Sequence, residues 1–205
     1  MPDLSGAEEA CLELAWESLC RGSYPVGAVL LDDAGLVRAQ GRNRVFEERD
    51  GEAGLAGGRL AHAEVNALAG LSPRRRYDQY HLVSTLEPGL LCVGAITMST
   101  VGRLTFIGAD PYAGATTVTR TAPYLRRPDI QVAGPRADAV GRLATGMCLA
   151  YYLRNKPSAA LVAAYRKLRP DLAATGEALL RAGLFEIAQQ GLSWPLAAAE
   201  LLRAG

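Results

Sequence analysis

Apolar positions in the first 40 residues change spacing in a way that predicts one helix followed by two strands. Between residues 5 and 21 they recur near one helical face, and Ser5 and Glu8 have the spacing of a capping box at a helix start. Residues 26–31 form a short apolar run, and the turn-forming segment 32–35 separates it from a second run at 36–40. Two short runs joined by such a turn predict an antiparallel hairpin.

The middle of the chain alternates between helical and strand patterns. We predict helices over residues 61–71 and 91–101, and strands over 80–85, 103–108 and 130–133. The glycine-containing segment 47–58 is predicted to be a loop that borders the site, and the Pro- and Thr-rich stretch 109–127 has no assignable pattern. Strands that alternate with helices after a hairpin indicate the α/β class, here a three-layer α/β/α sandwich with a mixed sheet.

The C-terminal part is almost wholly helical in its pattern. Helices are predicted over residues 138–154, 158–168, 171–189 and 193–202, with prolines and glycines between them. We therefore divide the chain into an α/β/α domain over residues 1–156 and a helical C-terminal extension over residues 157–205. Packing on the same body is the preferred role of the extension, and a subunit contact is the alternative.

Composition limits the classes of partner. The 205 residues are 49% hydrophobic and carry a net charge of +1, so RNA is a partner that the overall charge does not favour. The arginine runs at 74–76 and 126–127 are interpreted as solvated surface, with phosphate contact as the alternative. The four cysteines are scattered and follow no leader segment, which favours a reduced, cytoplasmic protein. No apolar run is long enough to cross a bilayer, so we predict no membrane segment.

Two short motifs carry the candidate chemistry. His62 and Glu64 stand two apart at a predicted helix start, and Cys92 opens another predicted helix after a turn that contains Pro88. Zinc deaminases combine H-x-E with P-C-x-x-C, and in them the glutamate moves protons without binding the metal. Here Gly89 stands where the first thiolate of the second motif belongs. One of the three protein ligands that a catalytic zinc ion ordinarily has is therefore missing.

With these motifs in this order, the chain resembles the cytidine deaminase-like superfamily, in the branch of tRNA adenosine, guanine and bacterial nucleoside deaminases. The resemblance implies that His62 and Cys92 are metal ligands and that Glu64 is the proton shuttle. It also implies that Asn43 contacts the substrate and that the backbone of Ala63 contacts the base. It extends over about residues 7–130 and depends on the segments 25–30, 41–43, 62–64, 85–88 and 92–96.

Three functional hypotheses follow. The first is hydrolytic deamination of a nucleobase or nucleoside, with Zn²⁺ bound weakly or absent, or held through a substitute ligand. The second is a non-catalytic protein that binds a base or a partner. The third is metal-free chemistry that uses Glu64, His62 or Cys92, since a cysteine at a helix start beside a histidine can be an activated nucleophile.

The expected ligand is a small-molecule base or nucleoside, and a homodimer is the expected assembly if the chain associates. The remaining cysteines would replace the missing thiolate only if the fold brought one of them close: Cys11, Cys20 and Cys148.

Overall fold

A five-stranded mixed sheet forms the centre of the computed structural model, which describes residues 3–49, 51, 54–121, 124, 129–155 and 159–204. The strands are β1 Gly27–Leu31, β2 Val37–Arg42, β3 His81–Leu86, β4 Arg103–Gly108 and β5 Gln131–Ala133. Their order is β2-β1-β3-β4-β5. Strand β1 is antiparallel to both of its neighbours, whereas β3, β4 and β5 are parallel. The predicted hairpin and mixed sheet are confirmed.

Helices cover both faces of this sheet. They are α1 Gly6–Cys20, α2 Ala63–Leu68, α3 Leu90–Met98, α4 Ala139–Asn155, α5 Ala159–Leu168, α6 Pro170–Arg181, α7 Leu184–Gln189 and α8 Trp194–Ala204. A short 3-10 helix, Thr116–Arg120, lies in the stretch that the pattern left unassigned. The prediction of one helix over residues 171–189 is wrong, because Gly183 takes a left-handed conformation (φ +81°) that separates α6 from α7. Among the described residues, none of these helices is long and apolar enough to cross a membrane.

Local sequence explains how α1 begins. Ser5 is its N-cap residue, and the backbone N–H of Glu8 donates to the Ser5 hydroxyl at 3.3 Å. The Glu8 carboxylate accepts in return from the Ser5 backbone N–H at 2.9 Å. This reciprocal pair is the predicted capping box, and it satisfies two backbone donors at the helix start.

Alternating side chains of the strands divide the core into two layers. Val29 and Val83 pack against α1 and α4, whereas Leu30 and Leu82 pack against α2 and α3. Neighbouring residues of a strand point to opposite faces, so each central strand contributes to both layers. Helices on both faces of a mixed sheet make the predicted three-layer α/β/α sandwich, which is confirmed.

The C-terminal helices share the core of the α/β body. The indole N–H of Trp16 in α1 donates to the backbone carbonyl of Leu192 at 2.8 Å, and the rings of Trp16 and Trp194 lie 6.2 Å apart. Helix α6 approaches α4 closely at Gly176, where a Cβ atom would lie 2.8 Å from the side chain of Leu149. The predicted boundary between residues 156 and 157 lies outside the described residues and stays a prediction.

Candidate active site

Two helix starts place the motif residues. His62 is the N-cap residue of α2, and Gly89 is the N-cap residue of α3; both have extended backbones (φ −76° in each). Glu64 and Cys92 therefore fall in the first turns of their helices. Because both helices begin at the same cavity, side chains that are distant in the sequence meet there.

His62, Glu64 and Cys92 form a three-residue cluster in the described part of the chain. The Cys92 thiol donates to Glu64 Oε2 at 3.1 Å, and Cys92 Sγ lies 3.5 Å from His62 Nδ1. One donor atom from each residue can be chosen so that all three lie within 4.8 Å of one another. Ser84 of β3 donates to the other carboxylate oxygen, Glu64 Oε1, at 2.8 Å. Glu64 is only 3% exposed, so these contacts lie in a largely dry environment.

The cavity in front of the cluster has a volume of about 220 Å³. Asn43 is buried in its wall, and the side-chain oxygen of Asn43 accepts from the backbone N–H of Val45 at 3.2 Å. This bond orients the amide so that its nitrogen is the remaining donor. Ala63 is not among the described residues that line the cavity, because its methyl group is buried in the core between the sheet and α2. The predicted roles of Asn43 and Ala63 stay predictions.

Residues that the sequence did not assign to the site also line the cavity, and those with polar side chains are Tyr24, Glu87, Asp110, Cys148 and Tyr152. Asp110 follows β4, and ligands of open α/β sheets usually bind at the carboxyl ends of parallel strands. Its place in the sequence was therefore a signal that it could lie at the site. Its Oδ1 accepts from the hydroxyl of Tyr165, in α5, at 3.2 Å. The tyrosines had no such signal, because Tyr152 reaches the cavity through the packing of α4 against the sheet and Tyr24 lies in the connection between α1 and β1.

Gly89 lines the cavity but contributes no ligand atom. Its φ of −76° is one that any residue adopts, so the glycine is not required by the backbone conformation. A Cβ atom added at this position would lie 3.3 Å from the carbonyl oxygen of Ala113. A cysteine would therefore fit after a shift of a few tenths of an ångström in its neighbour.

None of the other cysteines enters the three-residue cluster. Cys11 is buried in the core and donates to the carbonyl of Val83 at 3.2 Å, and Cys20 is exposed at a separate cavity. Cys148 lines the same cavity as His62, but its thiol lies 3.5 Å from the carbonyl of Pro25 and belongs to no donor cluster among the described residues.

The metal-free cysteine hypothesis finds no support in the surroundings of Cys92. Burial raises the pKa of its thiol, and the adjacent carboxylate of Glu64 raises that pKa further. A nucleophilic cysteine instead needs a lowered pKa, since the thiolate is the reactive form. The arrangement favours a protonated thiol in the absence of a metal ion.

A zinc ion fits two of the three positions that the family uses. Nitrogen and sulfur ligands bonded to a tetrahedral zinc ion at about 2.0–2.1 and 2.3 Å lie about 3.5 Å from each other. The observed separation of His62 Nδ1 and Cys92 Sγ is 3.5 Å. These two residues are therefore spaced to share a zinc ion, whereas Gly89 leaves the third position without a thiolate.

Two predictions made for other parts of the surface have different outcomes. The described residues of the loop 47–58 are not among those that line the cavity at His62, and Gly54 lines a larger cavity beside α1 and β2; because part of the loop lies outside the described residues, its expected position at the site stays a prediction. The arginines at 74–76 are exposed, and Arg76 pairs with Asp78, as expected of a solvated turn. The run at 126–127 lies outside the described residues.

Comparison with known proteins places the chain in a family. Residues 3–107 match the cytidine and deoxycytidylate deaminase zinc-binding region. The chain is 37% identical over 109 residues to a tRNA-specific adenosine deaminase of Haemophilus influenzae, covering 51% of this chain and 57% of that enzyme. It thus spans little more than half the length of this curated relative.

Solved structures of deaminases have a similar fold. One from a study of A-to-I editing by tRNA:A34 deaminases at the wobble position of transfer RNA is 26% identical, with a TM-score of 0.51, and covers 62% of this chain and 96% of that one. A guanine deaminase from Nitrosomonas europaea, at 22% identity and a TM-score of 0.50, covers 69% of this chain and 82% of that one, and shows the fold alone. With the match over residues 3–107, these similarities show that the chain belongs to the cytidine and deoxycytidylate deaminase family.

Proposed function

We propose that this protein is a hydrolase that removes the amino group from a nucleobase or nucleoside, with a zinc site weakened by Gly89. The observation that carries the proposal is the convergence of His62, Glu64 and Cys92 in one cavity. Each of these residues alone is commonly a packing or capping group. A histidine, a carboxylate and a thiol at the starts of two helices are three of the four groups that the family's reaction uses.

Glu64 carries the protons in this proposal. Ser84 holds one carboxylate oxygen, which leaves Oε2 turned towards Cys92 and the cavity. Water adds to the carbon that bears the amino group, and Glu64 takes a proton from that water and gives it to the adjacent ring nitrogen. The second proton of that water, which is on the hydroxyl group of the addition product, goes to the leaving nitrogen; the C–N bond breaks, and the products are a carbonyl compound and ammonia.

His62 and Cys92 are the residues that would hold the metal. When bound, zinc lowers the pKa of water so that hydroxide is available near neutral pH. With two family ligands in place of three, we expect weak binding, because even the loss of an outer-shell partner typically costs about 10- to 100-fold in affinity.

The small volume and the lining of the cavity support a ligand no larger than a base or nucleoside. Its volume of about 220 Å³ lies below the roughly 300–1,000 Å³ of typical small-molecule sites. Tyr24 and Tyr152 contribute aromatic side chains to the lining, and Asn43 contributes an amide. The net charge of +1 gives no general attraction to RNA, so we propose a free base or nucleoside as the substrate.

An ammonia-release assay tests the proposal. Cytosine, adenine and guanine, their nucleosides and tRNA are each incubated with the protein, with and without added zinc. We expect release from at least one small substrate, and a loss of about 100-fold or more in Glu64→Gln, the typical contribution of general acid–base catalysis. Absence of release from every substrate, with both the natural chain and Gly89→Cys, would refute an enzymatic function.

The second candidate function is binding without turnover, and the glycine at position 89 is the observation that favours it. A protein that lacks one metal ligand could keep the cavity and lose the chemistry. Calorimetric titration of the zinc-free protein with the same bases distinguishes the two functions. Binding of a base without turnover, in Gly89→Cys as well as in the natural chain, would favour the binding protein.

A further inference from the structure

The cluster at the two helix starts contains donors of three kinds. An imidazole nitrogen, a thiol sulfur and a carboxylate oxygen lie within 4.8 Å of one another, and zinc binds all three types of donor in proteins. In the family's reaction the glutamate does not bind the metal. In this chain the family's third ligand is absent, so the carboxylate competes with no second thiolate.

Distances to the sulfur place the carboxylate near a ligand position. Oxygen and sulfur ligands of a tetrahedral zinc ion lie about 3.6 Å apart when their bonds have the usual lengths of about 2.1 and 2.3 Å. Glu64 Oε2 lies 3.1 Å from Cys92 Sγ, and His62 Nδ1 lies 3.5 Å from the same sulfur. A movement of a few tenths of an ångström would bring the oxygen to the spacing of a ligand.

Hydrogen bonding leaves one carboxylate oxygen for a metal. Ser84 donates to Oε1, in the manner of the outer-shell partners that orient carboxylate ligands. Glu64 is 3% exposed, and its hydrogen-bond partners in the described part of the chain are a hydroxyl and a thiol, which are neutral groups. A buried carboxylate is stabilised by a nearby positive charge, and a bound zinc ion would supply one.

We infer that Glu64 is the third protein ligand of zinc in this chain, in the place of the thiolate that Gly89 does not supply. The inference rests on the proposed function insofar as that function puts a metal ion at this site. The inference goes beyond that function in one respect: Glu64, the proton carrier, is bound to the metal ion in the resting protein. Hydrolysis is then slow, because Glu64 must leave the metal before it can take a proton. A thiolate at position 89 should release it.

A double-mutant cycle on zinc affinity tests the inference. The natural chain, Glu64→Gln, Gly89→Cys and the double variant are stripped of metal, and zinc affinity is measured by competition with a chelator. Glu64→Gln should weaken zinc binding by about 10-fold or more in the natural background. In the Gly89→Cys background the same substitution should change the affinity by no more than about twofold, because the second thiolate takes the ligand position; this difference between the backgrounds is the coupling that the cycle measures.

Glu87→Gln is the matched control. Glu87 lines the same cavity, but its carboxylate accepts from Thr116 and lies outside the three-residue cluster. This substitution should leave the zinc affinity unchanged. Cobalt substitution gives a readout that is independent of activity, because the sulfur-to-cobalt absorption should grow in Gly89→Cys, which adds a second thiolate. Circular dichroism verifies that each variant is folded.

Three outcomes would overturn the inference. They are an unchanged zinc affinity in Glu64→Gln, an equal loss in both backgrounds, and an equal loss in Glu87→Gln. If Gly89→Cys does not fold, the zinc affinities of Glu64→Gln and Glu87→Gln in the natural background still test the inference. Failure of the proposed function is a separate result: the cycle would show the expected coupling, while no substrate releases ammonia with Gly89→Cys.

Discussion

The hydroxyl of Tyr165 links the C-terminal helices to the cavity wall, so Tyr165→Phe tests whether these helices shape the site. Tyr165 is only 1% exposed, and its hydroxyl donates to Asp110 Oδ1 at 3.2 Å. The same oxygen accepts from the backbone N–H groups of Tyr112 at 3.0 Å and Ala113 at 2.9 Å. Removing the hydroxyl therefore removes one of three donors and leaves the rest of the side chain in place.

The expected loss of stability follows from this geometry. A hydrogen bond to a charged group contributes about 1.5–3 kcal/mol, and 3.2 Å is long for an O–H···O bond, which is commonly about 2.5–3.0 Å. Because two backbone donors remain on Asp110, we expect the lower end, about 1.5 kcal/mol, in the free energy of unfolding. For a chain of this length that is a fall of about 3–6 °C in Tm.

Urea unfolding and base binding are measured on the same variant. Tyr151→Phe is the control, since the Tyr151 hydroxyl donates to the carbonyl of Gly22 at 2.7 Å and Tyr151 does not line the cavity among the described residues. Both variants should lose stability. Only Tyr165→Phe should weaken binding of a base, because of the two tyrosine hydroxyls only that of Tyr165 donates to Asp110. Equal weakening in both variants, or unchanged stability and binding in Tyr165→Phe, would refute the reasoning.

Three further predictions concern the stability of the fold, measured as the free energy of unfolding in urea. Asp138→Asn should keep the N-terminal cap of α4 and lose the ion pair with Arg136, at a cost of about 0.5 kcal/mol at neutral pH. That ion pair lowers the pKa of Asp138, so its contribution is present above the unfolded pKa of about 3.9 and is lost as the pH falls through the lower folded pKa; a difference between the two proteins that persists in stronger acid would contradict this. Gly183→Ala should cost about 1–2 kcal/mol because φ is +81° there, and an unchanged free energy of unfolding would show that the turn adjusts. Trp16→Phe should cost about 1–3 kcal/mol by leaving the carbonyl of Leu192 without its donor, and a loss near zero would mean that the contact with the C-terminal helices adds nothing.

The elements that the sequence predicted well are those whose causes are local. The capping box of Ser5 and Glu8 makes Ser5 the N-cap residue, so that α1 begins at Gly6, and the turn at 32–35 produces the predicted hairpin. Both features depend on contacts between residues only a few positions apart. Strand β4 matches its predicted bounds because its apolar run ends at turn residues. The failure at 171–189 has a local cause as well: the helical pattern continues across Gly183, but the backbone there does not.

The candidate site divides in the same way. His62, Glu64 and Cys92 were identifiable because each has a fixed place in a motif at a helix start. Tyr152 was not, because its position depends on how the body of α4 packs around the cavity, and Asp110 had only its place after β4 as a signal. Their distance from the motifs along the chain leaves no spacing to recognise.

The absence of a thiolate at position 89 was determined by the sequence alone, since glycine has no side chain with which to bind a metal. Only the tertiary structure decided which donors lie near His62 and Cys92. It excluded Cys11 and Cys20, which lie in the core and at another surface, and it set the Glu64 carboxylate 3.1 Å from Cys92 Sγ. The physical reason is that this distance depends on how α2 and α3 are placed on the face of the sheet that both cover, which no local pattern specifies.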